Sequence, residues 1–160
     1  MPEKNTIKRA RRDRRQGKSP STQAGEFVRE EIEHIREGEH GARSTKQAIA
    51  IGLSKARKAG VDLRPPARGK TSERTRRSAQ RAYQQGQNGS GRSPSRRRSK
   101  ATLAALKREG RSAASRQALA GQARTAAARR TRAARSASAQ KAARTRTKTA
   151  HKARRRAGAR

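Results

Sequence analysis

Nine of the chain's fifteen large apolar side chains fall within 37 consecutive residues: Phe27, Val28, Ile32, Ile35, Ile49, Ile51, Leu53, Val61 and Leu63. Any core must be assembled around that stretch, because most of the remaining apolar content is alanine, whose single methyl removes little surface from water. One small core is the most that such a chain supports, since units below about 40 residues rarely fold without help. Within the stretch, Ala24, Phe27, Val28, Ile32 and Ile35 recur at helical spacing, and Gly38 and Gly41 end the pattern. A second helix opens at Ser44-Thr45-Lys46-Gln47, an S-x-x-Q capping box. Its apolar side is Ala48, Ile49, Gly52, Leu53 and Ala56, and Gly60 stands at the stop position. The small residues at 48, 52 and 56 allow close approach of another helix and are the candidate face for a homodimer.

The expected fold class is therefore mainly α: a small helical hairpin over residues 21–63. A weaker third helix is expected over 71–85, with Ala79, Ala82 and Tyr83 on one side, inside a linker of 64–98. Basic arms at 1–20 and 99–160 flank these elements and are expected to be disordered, because they hold too few large apolar residues to offset the entropy of ordering. Alanine and arginine favour helix in the second arm, so phosphate screening of its charge is expected to make it partly helical.

Charge is the second constraint. The chain carries 45 Lys and Arg against 11 Asp and Glu, a formal net charge of +34. Compacting that charge is costly, and a polyanion relieves the cost. Duplex DNA offers one negative charge per ~1.7 Å, so the chain matches roughly 17 base pairs at full contact. The charge is uneven. Residues 92–160 hold 23 basic residues and one acid, Glu109, whereas six acids (Glu26, Glu30, Glu31, Glu33, Glu37 and Glu39) cluster on the first hairpin helix.

The candidate phosphate contacts are Lys8, Arg9, Arg11, Arg12, Arg14 and Arg15 in the first arm and Arg96, Arg97 and Arg98 at the start of the second. Arg129, Arg130, Arg132, Arg135, Lys141, Arg144, Lys148, Lys152, Arg154, Arg155 and Arg156 continue them along the tail. Lys141, Arg144, Lys148 and Lys152 share one face if the tail is helical. Phosphate contacts position a protein and do not read sequence, so the expected partner is duplex DNA bound without sequence preference, with RNA as the alternative ligand. Aromatics for stacking on single strands are confined to Phe27 and Tyr83, which favours the duplex. Ser93-Pro94-Ser95-Arg96 matches S-P-x-[KR], a turn that presents basic groups to a narrow minor groove. A helix-turn-helix reading of 27–59 meets a connection longer than the usual turn, with Lys46, Lys55, Arg57 and Lys58 suited to phosphates.

Other classes find no support. There is no cysteine, no apolar run of membrane-spanning length, and no hydrophobic stretch of the secretory kind in the first 18 residues. Two near-matches to the P-loop place Arg12 and Arg64 where the first glycine is needed. His34 and Glu30 share a helix face with His40 just beyond, but no four-ligand set is evident. No metal, cofactor or catalytic residue is expected.

The segments GEFVREEIEHIR at 25–36 and GARSTKQAIAIGLSKAR at 41–57 resemble a family of small basic bacterial proteins often labelled DNA-binding, over roughly residues 1–85. The Ala/Lys/Arg-rich tail is similar in composition to the C-terminal tails of histone H1-like bacterial proteins. The resemblance implies a nucleoid-associated protein of the bacterial cytoplasm that bridges or compacts DNA.

Overall fold

The computed structural model describes residues 2–89 and 95–157; beyond residue 147, side chains are described only at 150 and 151. Among the described residues there are seven α-helices, one 3-10 turn and no strand. They are α1 (Lys4–Arg15), α2 (Pro20–Glu37), α3 (Thr45–Lys58), α4 (Glu73–Gln87), α5 (Arg96–Lys107), the 3-10 turn Ser112–Ala114, α6 (Arg116–Ala128) and α7 (Arg132–Ala157). The chain divides into two compact units, Met1–Leu119 and Ala120–Arg160.

The mainly α expectation holds, but a two-helix hairpin with disordered arms does not. The reason is local and repeated along the chain. A Ser or Thr hydroxyl accepts a backbone N–H at the start of six of the seven helices: Ser19, Ser44, Ser72, Ser95, Ser115 and Thr131. Each such cap satisfies one of the amide groups a helix start leaves unbonded, typically worth ~1 kcal/mol. Pro20 follows the Ser19 cap, where its missing N–H costs nothing. Three helices close with the same device. Gly17, Gly38 and Gly60 have positive φ, and the amides of Lys18, Glu39 and Val61 turn back to the carbonyls of Asp13, His34 and Ala56.

In the first unit α2 is the spine. Its expected stripe is buried: Ala24, Phe27, Ile32 and Ile35 are each at most 7% exposed. The stripe serves two small clusters. One joins Phe27 and Ala24 to Ala10, Ala56 and Val61, with Ile7, Leu53 and Leu63 packed against them. The other joins Ile32 and Ile35 to Ala42, Ala48, Ala113 and Ala114, with Val28 and Leu119 alongside. The second cluster corrects the reading of the tail. Residues 106–114 dock on the core as a plug whose buried tip is Ala113 and Ala114. Arg36 Nε donates to the Ala114 carbonyl at 2.9 Å and Thr45 Oγ1 to that of Ala113 at 2.7 Å. The amides of Gly41 and Ala42 donate to the carbonyls of Leu106 and Gly110. An alanine-rich segment enters a core when its methyls and backbone acceptors meet shaped partners, although it could never build one.

The first arm is also corrected. Thr6, Ala10 and Asp13 lie on one side of α1 and are buried, so α1 docks on α2. Asp13 pairs with Lys18 at 2.6 Å, and Gln23 Nε2 donates to the Lys18 carbonyl at 2.8 Å, which fixes the turn between α1 and α2. The small-residue face of α3 is occupied within the chain: a Cβ on Gly52 would stand 2.7 Å from Val28 Cα. Ala48, Gly52 and Ala56 thus serve the contact with α2, not an open surface. The helix expected over 71–85 is α4, which packs on α3 through Ala79 and Ala82. Gly86 lies against the Arg57 carbonyl, where a side chain has no room.

The second unit has no buried residue among those described. Its helices rest on alanine and arginine propensity and on the Thr131 cap of α7. Thr125, Ser138, Thr145 and Thr147 each donate to the carbonyl four residues earlier. That bond accommodates β-branched threonine in a helix, which on side-chain entropy alone is unfavourable.

Candidate nucleic-acid interface

The basic residues sort by what surrounds them. On α1, Lys4, Lys8, Arg11, Arg12 and Arg15 fall on the face opposite the buried Thr6, Ala10 and Asp13, and all five are exposed, as is Arg14. Arg9 does not belong with them. Its Nε donates to Glu26 Oε2 at 2.8 Å and its Nη2 to Thr6 Oγ1 at 2.9 Å, so it ties α1 to α2. Docking made the difference: Arg9 sits at the edge of the α1 contact, within reach of an acid on the neighbouring helix.

Two basic residues of α3 are likewise committed. Lys55 Nζ lies 2.7 Å from Glu31 Oε2. Arg57 is buried and donates from Nε to the Leu63 carbonyl at 3.0 Å; loss of hydration lowers its pKa from the usual value. Of the four proposed for helix-turn-helix contacts, Lys46 and Lys58 alone are exposed.

Residue periodicity on α4 supplies a cluster the sequence reading passed over. Arg74, Arg77 and Arg81 are spaced three and four apart, all exposed, and line a shallow surface together with Glu73. Glu73 is engaged by Arg76 through three hydrogen bonds of 2.6–3.1 Å. That contact holds the Glu73 carboxyl below its ordinary pKa and raises that of Arg76. The signal was present as R-x-x-R-x-x-x-R, but it is legible only once Ala79 and Ala82 define the buried face.

Arg96, Arg97 and Arg98 are exposed in the first turn of α5. Cations there face the positive end of the helix dipole, so an anion at this position gains from both. Ser95, read as part of a minor-groove turn, is instead the α5 cap; Ser93 and Pro94 lie outside the described residues.

In the second unit, Arg129, Arg130, Arg132, Arg135, Lys141 and Arg144 are exposed. Lys148, Lys152, Arg154, Arg155 and Arg156 lie on the α7 backbone, with side chains outside the description. Helical periodicity sets positions 141, 144, 148 and 152 along one face of α7. Residues 120–160 contain 14 Lys and Arg and no Asp or Glu. Of Phe27 and Tyr83, Phe27 is closed to bases at 1% exposed, while the partly exposed Tyr83 donates its hydroxyl to Asp62 Oδ1 at 2.6 Å.

No protein-family model, curated protein or solved structure matches this chain.

Proposed function

We propose that this protein binds duplex DNA without strong sequence preference, by neutralising backbone phosphates, and that it bridges or compacts DNA in the manner of histone H1-like nucleoid proteins. The observation that carries the reading is the composition of residues 120–160: 14 cations, no acid, and no buried residue among those described. A helical segment with no core and no internal counter-charge has its favourable partner outside the chain, and a polyanion is the partner that relieves its self-repulsion. The exposed faces of α1 and α4 add further phosphate contacts. Phe27 is buried and Tyr83 is partly buried with its hydroxyl engaged, which favours a duplex over single strands, whose binders stack bases on exposed aromatic rings. Distributed cations without base-reading side chains explain affinity without specificity.

The test is a salt series with the full-length protein on a duplex of mixed sequence. Each phosphate neutralised contributes about −0.9 to the slope of log K against log salt. Replacing Lys141 and Arg144 with glutamine is expected to make the slope shallower by about 1.8 and to weaken binding equally on unrelated sequences. A slope near zero, or preferential capture of structured RNA in direct competition, defeats the reading.

A further inference from the structure

The acidic helix α2 carries a feature that phosphate binding does not use. Glu31 is fully buried, and neither of its carboxylate oxygens accepts a hydrogen bond. Lys55 approaches Oε2 as an ion-pair partner, which leaves Oε1 unsatisfied. That oxygen faces His40 Nε2 at 3.5 Å. The other nitrogen of His40, Nδ1, lies 3.1 Å from the Gly41 carbonyl. An imidazole nitrogen and a buried carboxylate oxygen that accepts no hydrogen bond thus face each other, two donor atoms of the kind that hold a divalent cation.

His34 completes the group. One ligand atom from each of Glu31, His34 and His40 can be chosen so that all lie within 4.8 Å of one another. Both histidines are largely buried, with side chains 12% and 9% exposed. Each nitrogen of His34 also has a carboxylate near it: Glu3 Oε1 is 3.3 Å from Nε2, and Glu39 Oε2 is 3.5 Å from Nδ1.

We infer that Glu31, His34 and His40 form a binding site for a divalent transition-metal ion of the zinc type, with Glu3 or Glu39 as fourth ligand. The spacing suits the ion. Zinc ligands at about 2.1 Å in a tetrahedron lie about 3.4 Å from one another, close to the 3.5 Å between Glu31 Oε1 and His40 Nε2. The outer contacts suit it as well. A metal-bound histidine typically donates its second N–H to a carbonyl or carboxylate. The Gly41 carbonyl is placed to accept that bond from His40, and whichever of Glu3 and Glu39 does not bind the metal is placed to accept it from His34. The donor set is imidazole and carboxylate without thiolate, which excludes a preference for soft ions. Bound there, the ion would link the last turns of α2 to the loop before α3, and with Glu3 as fourth ligand also to the N-cap of α1.

The experiment uses full-length protein freed of metal with a chelator, titrated with zinc by calorimetry and with cobalt(II) by visible absorption. One zinc per chain and a tetrahedral cobalt spectrum are expected. Glu31→Gln and His40→Ala should each weaken zinc binding by at least about 100-fold, since even outer-shell losses cost 10–100-fold. Glu31→Gln preserves the shape of the buried side chain, and far-ultraviolet circular dichroism verifies that each variant is folded. His151→Ala, which alters the third histidine, on α7, should leave binding unchanged. Zinc binding that survives both Glu31→Gln and His40→Ala, or that is lost in His151→Ala, overturns the assignment. So does an octahedral cobalt spectrum or the absence of stoichiometric binding.

Discussion

Ala114→Asp distinguishes a docked tail from a free one. Ala114 is 0% exposed, between Ile35, Ala48 and their neighbours, and its carbonyl accepts from Arg36. An aspartate here has two outcomes. Held in place, an unpaired buried carboxylate costs about 3–5 kcal/mol. Alternatively the plug lets go, forfeiting the bonds from Arg36, Thr45, Gly41 and Ala42 to the carbonyls of Ala114, Ala113, Leu106 and Gly110. Those bonds are worth about 0.5–1.5 kcal/mol each, and part of that returns as backbone entropy on release. The cheaper route sets the result, so the expected loss is about 2–4 kcal/mol. Urea denaturation followed by circular dichroism measures it as a lower midpoint. Ala101→Asp, at an exposed position of α5, is the control and should cost no more than about 1 kcal/mol, mainly as helix propensity. If Ala114→Asp costs no more than the control, residues 106–114 are not part of the core and the plug is wrong.

Two further outcomes follow from the packing. Gly52→Ala should destabilise the first unit by about 1–3 kcal/mol despite its better helix propensity, because the new methyl meets the α2 backbone at Val28; a gain in the urea midpoint would refute the close approach of α2 and α3. Tyr83 is the only tyrosine and there is no tryptophan, so phenolate absorbance reports it alone. Its hydrogen bond to Asp62, aided by partial desolvation, raises its pKa above the ordinary 10.0. The stability linked to that bond is fully present below the unfolded value and is lost as pH rises through the folded one. Asp62→Asn should bring the titration down, and an unchanged titration would remove the bond from the account.

Much of the central architecture was legible because it is written in local spacing. Ser44, Gln47, Gly38 and Gly60 act on residues three to five positions away, and the α2 stripe repeats with the helical turn. The same local logic extended further than the reading took it: Ser19, Ser72, Ser95, Ser115 and Thr131 are caps too, but in an Ala/Arg-rich background they looked like scattered hydroxyls. The candidate contacts were legible as composition alone. Arg9, Lys55 and Arg57 are withdrawn from that set by partners 6 to 24 residues away, and the α4 cluster joins it once its buried face is known.

By itself the sequence determined that the chain is mainly helical, where α2 ends and α3 begins, and that its excess charge is concentrated after residue 91. These depend on capping, periodicity and net charge, which act within a few residues or over the whole chain. Tertiary structure alone decided that α1 docks, that Ala113 and Ala114 enter the core, and that Glu31 is buried between Lys55, His34 and His40. Those outcomes turn on small methyls and single polar atoms finding complementary partners far along the chain, and no local pattern encodes which partner will be there.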